Sequence, residues 1–536
     1  MGRPVPFGMH RGLLALAFIG AIVPWQSADL GFDQACRGVP ATIVGTPGPD
    51  RLVGTPGDDV ISGAEGDDVI LGRGGDDVLC GGGGNDRIAP GTGDDVADGG
   101  PGANTLSFAH SRVPVMVDLT NQTALDGGTD LVASFDRVIG SRFGDVLLGS
   151  DAGESLLGRG GDDRVEGRGG DDQLRGGSGD DEIVGGAGVD RGSGGPGTNR
   201  CQAEAVSECT AGPVPSVVFL APGGDDSAGG ATPDSAVLTV GRGMDLLMDD
   251  GGTLFVLPGR YRQGAFFDGD HAAGGFRISG VGGRPTFDGT ARRDFGVFCT
   301  QCHRLAVEWL RVVGFTDIGV GATLSTNVTL RYLEIVDNGH RARHPSWELE
   351  GYGIHVDGSS GVVIEHNVLT GNGPDPPAPG RLLGTAINTY GNQDVVIRHN
   401  RAHHNHGAGI LVEDSRGALV EANEIYENDL DASAEGWWDG GIWIDGGSDV
   451  VLRDNLVHDN RGVGIEVSDE ERQLPTGYVL EGNVSTGNYF GIYLWNFRTT
   501  DWPEEAIVLL GGDNDFSGNA CRDVWIAPRT DFATCP

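Results

Sequence analysis

Residues 45–89 read GTPGPDRLV, GTPGDDVIS, GAEGDDVIL, GRGGDDVLC and GGGGNDRIA, five consecutive units of nine residues. The sixth place of each unit is acidic: Asp50, Asp59, Asp68, Asp77 and Asp86. The series continues through Asp95 and closes on Asn104. Two residues after each stands an apolar side chain: Leu52, Ile61, Ile70, Leu79, Ile88, Ala97 and Leu106. A second run places acids at Asp145, Glu154, Asp163, Asp172, Asp181 and Asp190 and closes on Asn199. The step from Asn104 to Asp145 is 41 residues, not a multiple of nine. The runs therefore read as two blocks, 45–106 and 139–201. A strand-rich insert, 107–138, joins them and contains Val115-Met116-Val117-Asp118. Glycine permits tight turns of positive φ, and one inward apolar residue per unit builds a thin core. Rows of carboxylate and carbonyl oxygens suit a hard cation such as Ca²⁺. Without cations the stacked aspartates repel one another.

These units resemble the RTX, or haemolysin-type, calcium-binding repeat G-G-x-G-x-D-x-U-x. The resemblance implies a parallel β-roll binding several Ca²⁺ ions at Asp50, Asp59, Asp68, Asp77, Asp86, Asp95, Asp145, Asp163, Asp172, Asp181 and Asp190. Two units depart from the pattern: Glu154 replaces the aspartate, and Gly192 replaces the apolar residue.

After Cys209 the pattern changes. Residues 216–221 read as a strand and 237–248 as a short amphipathic helix, followed by GGTLFVLPGRY at 251–261. Asparagine pairs five residues apart then recur: Asn367/Asn372, Asn400/Asn405, Asn423/Asn428, Asn455/Asn460 and Asn483/Asn488. The shortest step between pairs is 23 residues, the length of one coil, and the longer steps contain insertions. Asparagine tolerates left-handed turns and stacks in ladders. Residues 215–536 thus resemble the right-handed parallel β-helix of pectate lyases, alginate epimerases and several glycosidases. The implied fold class is all-β: an N-terminal RTX β-roll and a C-terminal right-handed parallel β-helix.

The strands GIHVDG, TAINTYG, GILVED, GIWIDG, GIEVSD and GIYLWN stack with Ile354, Val356, Ile410, Val412, Ile442, Ile444, Ile465 and Val467 inward. One outward column then holds His355, Asn388, Leu411, Trp443, Glu466 and Tyr493. The next holds Asp357, Tyr390, Glu413, Asp445, Ser468 and Trp495. Aromatics mixed with acids suit a sugar-binding groove, walled by insertions at 340–350, 373–381 and 429–438. Arg341 and Arg343 in the first insertion could clamp uronate carboxylates.

Asp445 and Glu466 lie on successive coils, with Glu413 beside Asp445. Paired carboxylates serve glycoside hydrolysis, and W-I-D followed by I-E-V resembles a β-helix glycosidase family that includes β-xylosidases. That resemblance implies Asp445 as nucleophile and Glu466 as general acid. A calcium site at Glu413 and Asp445 is the alternative reading. Tyr352-Gly353-Ile354-His355-Val356-Asp357 partly resembles the catalytic strand of mannuronan C5-epimerases, with Asp and His in reversed order. His355 as base, with Tyr352 or Tyr390 as acid, would suit β-elimination. A further reading is a non-catalytic glycan-binding or matrix protein using Trp443, Tyr493 and Trp495.

Arg3, Arg11 and the apolar run Leu13–Val23 read as a secretory signal over 1–28. Secretion and eight cysteines predict disulfides: Cys36–Cys80, Cys201–Cys209, Cys299–Cys302 and Cys521–Cys535. The Cys299-Thr300-Gln301-Cys302-His303 run also has haem-attachment spacing, although it occupies a turn before a strand. No later stretch is long enough to span a bilayer. The 536 residues include 95 glycines, which argues against a helical bundle. The net charge of −40 argues against a nucleic-acid partner. All 37 basic residues are arginine, which excludes a lysine base, Schiff base or P-loop lysine. A secreted monomer acting on polysaccharide is the expectation.

Overall fold

The computed structural model describes residues 35–211, 216–247, 251–269, 275–290, 293–340, 348–374, 381–428, 440–468, 477–494, 507–508 and 513–526. Among these, one α-helix, Val240–Leu247, and one 3₁₀ turn accompany an otherwise β architecture.

In the N-terminal half, each nine-residue unit makes one short strand, and strands 18 residues apart pair in parallel. Val69–Gly74 pairs with Arg87–Thr92, and Val60–Ser62 with Val78–Cys80. Alternate units therefore feed two facing sheets of nine and twelve strands. Ile61, Ile70, Leu79, Ile88, Ala97 and Leu106 fill the space between them and are fully buried. The two sequence blocks form one continuous roll. The insert contributes Met116–Asp118, Thr123–Leu125 and Thr129–Ala133, an antiparallel meander that bridges Val96–Asp98 to Val146–Leu148. The departure at Gly192 is absorbed by neighbours: a Cβ there would meet Ile183, Ala203 and Cys201.

The C-terminal half coils through three sheets of eleven, nine and ten strands. Helix Val240–Leu247 buries Val240, Met244 and Leu247 against Leu254 and Val256, within one apolar core that runs along the coils. The expected register holds throughout: Ile354, Ile387, Ile410, Ile442, Ile465 and Ile492 stack directly. The asparagines form two ladders. Asn405 accepts from the backbone N–H and the side-chain amide of Asn372, both at 3.0 Å, and donates from Nδ2 to Asn428 at 2.8 Å. The ladders extend beyond the five pairs read in the sequence, to Asn338 at one end and to Asn514 and Asn519 at the other.

Cys36–Cys80, Cys201–Cys209 and Cys299–Cys302 are disulfides. The last of these settles the haem-like spacing as a turn crosslink. Cys535 lies outside the described residues.

The roll lies against the eleven-stranded sheet of the β-helix. Met116, Val146 and Leu148 pack with Phe219, Phe255 and Val281, and Phe143 meets Trp309 edge-on at 4.6 Å. Beside this patch, buried Glu308 is held by Arg277 and Arg331, each at 2.6 Å, and Arg331 reaches Asp162 of the roll at 2.7 Å. Burial would raise the Glu308 carboxyl, but the two guanidinium groups hold it down to about 2.

Asn405→Ala should cost the β-helix about 2–4 kcal/mol, because it leaves buried donors of Asn372 without acceptors. Denaturant unfolding of the calcium-loaded protein measures this. A loss below about 0.5 kcal/mol, the range of a neutral surface change, would show the ladder to be energetically idle.

Candidate functional site

Two sites emerge, one in each half. In the roll, each key aspartate sits at the turn following a glycine-rich stretch, and its two carboxylate oxygens have different surroundings. Oδ1 accepts the backbone N–H of the aspartate one coil earlier: Asp59 N–H to Asp77 at 2.8 Å, Asp68 N–H to Asp86 at 2.9 Å, Asp163 N–H to Asp181 at 2.9 Å. Oδ2 of Asp68, Asp77, Asp86, Asp95, Asp163, Asp172, Asp181 and Asp190 is buried and has no hydrogen-bond partner. Around it stand backbone carbonyls. A Cβ on Gly63 would lie 2.3 Å from Asp68 Oδ2 and 2.2 Å from the Gly81 carbonyl oxygen, so only glycine leaves this space open.

The asparagines that close each block show what that space requires. Asn104 Nδ2 donates to the carbonyls of Gly100 and Ser134 at 2.8 and 3.1 Å. Asn199 Nδ2 donates likewise to Gly195 and Glu208 at 2.7 and 3.0 Å. Asp50, Asp59 and Asp145 turn Oδ2 to the N–H of Thr46, Thr55 and Ser141, whereas at the eight aspartates named above an oxygen replaces that amide nitrogen and faces carbonyl oxygens. A cation is the group that satisfies both, and all-oxygen surroundings match Ca²⁺. Among the described residues no three His, Cys, Asp or Glu side chains converge on one point, so carbonyls must supply part of each shell.

Burial, reinforced by neighbouring aspartates, pushes Asp77 up to about 7 and Asp68, Asp95, Asp172 and Asp181 up to about 6. Glu154 keeps the ladder bond, its N–H donating to Asp172 at 2.7 Å, and its carboxylate accepts from Ser150 as that of Asp145 does from Ser141. Asp50, at the start of the ladder, is only half-buried.

Sequence reading missed two members of these ladders. Asp136 accepts from the Asn104 N–H at 2.8 Å, and Asp130 accepts from the Asp95 N–H at 3.0 Å. Asp136 lies nine residues before Asp145 and so begins the second block in register.

On the β-helix, the two outward columns lie on the ten-stranded sheet, a different face from the one the roll covers. Glu413 pairs directly with Asp445, and Trp443 with Glu466. Asp445 and Glu466 are 8% and 6% exposed. Trp443 Nε1 donates to Ser468 Oγ at 2.7 Å, and Ser468 Oγ donates to Asp445 Oδ1 at 2.9 Å. This chain fixes the Asp445 carboxylate and ties it to the indole, a role that the sequence position of Ser468 did not announce. Tyr390, 42% exposed, presents the open ring of the group. Tyr493 is fully buried, packed on Trp525 at 4.8 Å and near Phe490, so it offers no open face for a sugar.

His355 stacks on Tyr352 with centroids 4.7 Å apart. Burial lowers the His355 pKa, with the Asp357 charge opposing, so the imidazole is held neutral. Asn388 stands beside it on the next strand. Arg341, Arg343, Trp495 and most of the three expected groove walls lie outside the described residues. The His403–His404–His406 tract is a coil turn, in which His404 pairs with Glu427 at 3.0 Å.

Residues 44–79, 80–108, 157–192 and 166–200 match the RTX calcium-binding nonapeptide repeat, and residues 380–502 match the right handed beta helix region. The chain carries RTX calcium-binding repeats and a right-handed β-helix. Similar solved structures include a pectate lyase (14% identity, 56% of this chain, 79% of that chain, TM-score 0.33). A XylC complex with xylose is similar at 10% identity, covering 52% of this chain and 64% of that one, with a TM-score of 0.32. The mannuronan C-5 epimerase A-module of Azotobacter vinelandii is similar at 15% identity, covering 52% and 90%, with a TM-score of 0.29. No curated protein matches the chain. No described helix is long and apolar enough to cross a membrane.

The raised RTX carboxyls set a pH dependence for the calcium-free roll. Between the ordinary aspartate range near 4 and about pH 7, the folded roll binds more protons than the unfolded chain. Its stability in chelator therefore falls as pH rises through that window. Circular dichroism in chelator should show more β-structure at pH 5 than at pH 8. Calcium at about 10⁻⁴–10⁻³ M, the range of extracellular modules, should restore order at pH 8. A roll indifferent to chelator at pH 8 would contradict this.

Proposed function

We propose that this protein is exported and that its β-helix hydrolyses a polysaccharide through Asp445 and Glu466, while the calcium-loaded roll serves as a rigid companion domain. The observation that carries the reading is the carboxylate group itself. Glu413 and Asp445 stand side by side, and Glu466 follows one strand later and one outward position along. Asp445 is oriented by Ser468, which is itself anchored by Trp443. An oriented, largely buried carboxylate beside a second one is the equipment of glycosidic bond cleavage. In this reading Asp445 acts as nucleophile and Glu466 as general acid, with Glu413 shaping the charge at Asp445 and Tyr390 offering a stacking surface for a sugar. The disulfides and the N-terminal apolar run support export to an oxidising compartment.

A second reading rests on His355. A neutral imidazole stacked on a tyrosine can take a proton from a uronate C5; protonation of the leaving oxygen by the phenol then gives β-elimination, whereas return of a proton to the opposite face of C5 with the glycosidic bond intact gives epimerisation.

The purified, calcium-loaded protein assayed on a polysaccharide panel separates these readings. Hydrolysis releases reducing ends without the ultraviolet absorbance of an unsaturated uronate, elimination produces both, and glycan retention without turnover marks a binding module. Asp445→Asn and Glu466→Gln should each lower kcat by about 10²–10⁴-fold, the usual worth of a positioned acid or base. Full activity in both variants would remove these residues from the mechanism.

A further inference from the structure

We propose that the insert between the two repeat blocks holds a calcium site of its own, built on Asp126 and Asp130 with Asp95 beside them. None of residues 109–156 falls within the matched repeats, and the strand that carries Asp130, although it pairs antiparallel with Thr123–Leu125, lies parallel to the repeat strand Val96–Asp98. Three observations carry the assignment.

First, Asp130 stands in the aspartate column. Its Oδ1 accepts the Asp95 N–H at 3.0 Å, as Asp95 accepts the Asp77 N–H at 2.8 Å. The preceding residues keep step. The Thr129 N–H donates to Asp94 at 2.8 Å, and a Cβ on Gly128 would meet the Gly93 carbonyl at 1.9 Å, as one on Gly93 would meet the Gly75 carbonyl at 2.1 Å. Gly127-Gly128-Thr129-Asp130-Leu131 thus takes the place of a repeat unit on the ladder, in the same chain direction as Val96–Asp98.

Second, Asp130 is fully buried, and its Oδ2 has no hydrogen-bond partner, nor does that of Asp95, which is 1% exposed. In Asn104 and Asn199, the amide at the equivalent atom bonds the carbonyl four residues earlier. The residue four before Asp130 is Asp126, which is only 5% exposed and whose carboxylate accepts the Gly128 N–H at 3.4 Å.

Third, no arginine is paired with Asp126 or Asp130 in the described structure, and Asp95 and Asp94 add to their charge. A buried carboxylate oxygen with no donor, on a hairpin that buries a second acid, calls for a divalent cation, with the remaining ligands drawn from carbonyl oxygens and water.

The site has a structural purpose. Leu125, adjacent to Asp126, touches Gly282 of the β-helix, and Gly282 N–H donates to the Pro114 carbonyl at 3.2 Å. Met116, paired with Leu125, belongs to the apolar patch between the domains. Calcium at Asp126 and Asp130 therefore fastens the hairpin on which the roll rests against the β-helix.

The test uses the full-length protein and calcium alone. Equilibrium dialysis should find one ion fewer per chain in Asp130→Asn than in the parent. Asp126→Asn, which leaves the ladder bond intact, should weaken one site by about tenfold or more, as loss of a ligand charge does in other calcium sites. Hydrogen exchange over 116–133 provides the second readout. Calcium should protect this segment in the parent, and Asp126→Asn should reduce that protection in calcium while increasing it in chelator, where removing a repelling charge helps. Should Asp130→Asn fail to fold, Asp126→Asn alone decides. Unchanged stoichiometry and affinity, with calcium protection of 116–133 equal to the parent, would overturn the site. Calcium binding lost at the repeats as well as the insert would instead indict the reading of the repeats, and Asp68→Asn serves as that control.

Discussion

One hydrogen bond recurs through the whole chain: a side-chain oxygen at a turn accepts the backbone N–H of the equivalent residue one coil away. Every solenoid must bury turn N–H groups that no strand can reach, and an unmet buried donor is costly. The two halves answer with different chemistry. In the β-helix the acceptor is an asparagine Oδ1, and its own Nδ2 donates onward to the next asparagine and to a strand carbonyl. The amide is neutral and self-complementary, so the ladder closes on itself. In the roll the acceptor is an aspartate, whose second oxygen finds carbonyls instead of donors. Substituting oxygen for nitrogen at one atom turns a self-sufficient ladder into one that must be completed by metal. Asn104 and Asn199, at the ends of the blocks, are the points at which the roll reverts to the neutral solution.

This difference explains what could be read directly and what could not. The nonapeptide blocks were legible because the unit length is constant and each unit repeats the same glycine, acid and apolar places. The register of six β-helix strands was legible because alternation alone assigns the inward isoleucines. The insert was opaque for the opposite reason. Asp130 joins its column across 35 residues and an antiparallel turn, so no multiple of nine from Asp95 finds it, and Asp136 follows Asn104 by 32 and is reached only by counting nine back from Asp145. Asn338 escaped because Leu333 occupies the companion place five residues earlier, where only its backbone N–H meets the ladder. Asn514 and Asn519 keep the five-residue rule but lie past the last strand that the glycine-led pattern marks.

For the candidate site, alternation predicted which side chains share a column but not how deep each one lies. Trp443 and Tyr493 look equivalent in the sequence. In the fold Trp443 anchors Ser468 and, through it, Asp445, whereas Tyr493 is sealed between Phe490 and Trp525. Burial of that kind depends on which side chain stands on the adjoining strand, Trp525 for Tyr493 and Ser468 for Trp443, which periodicity does not encode.

The charge of −40 takes on a different meaning in this light. Much of it sits in the roll, where calcium offsets it, so it says little about the sugar. What remains informative is where arginine is placed. With no lysine available, the contact between the halves uses Arg277 and Arg331, which share Glu308 and reach Asp162, the neighbour of the ladder aspartate Asp163. Asp162 also accepts the Asp180 N–H at 2.9 Å and so belongs to the outer ladder of the same turns. The turn that carries the aspartate ladder is therefore the turn that the β-helix grips. Guanidinium suits this place because one planar fork can hold Glu308 and Asp162 together. The roll and the β-helix are in this sense one electrostatic unit: cations inside the roll neutralise its core, and arginines from the β-helix neutralise its rim.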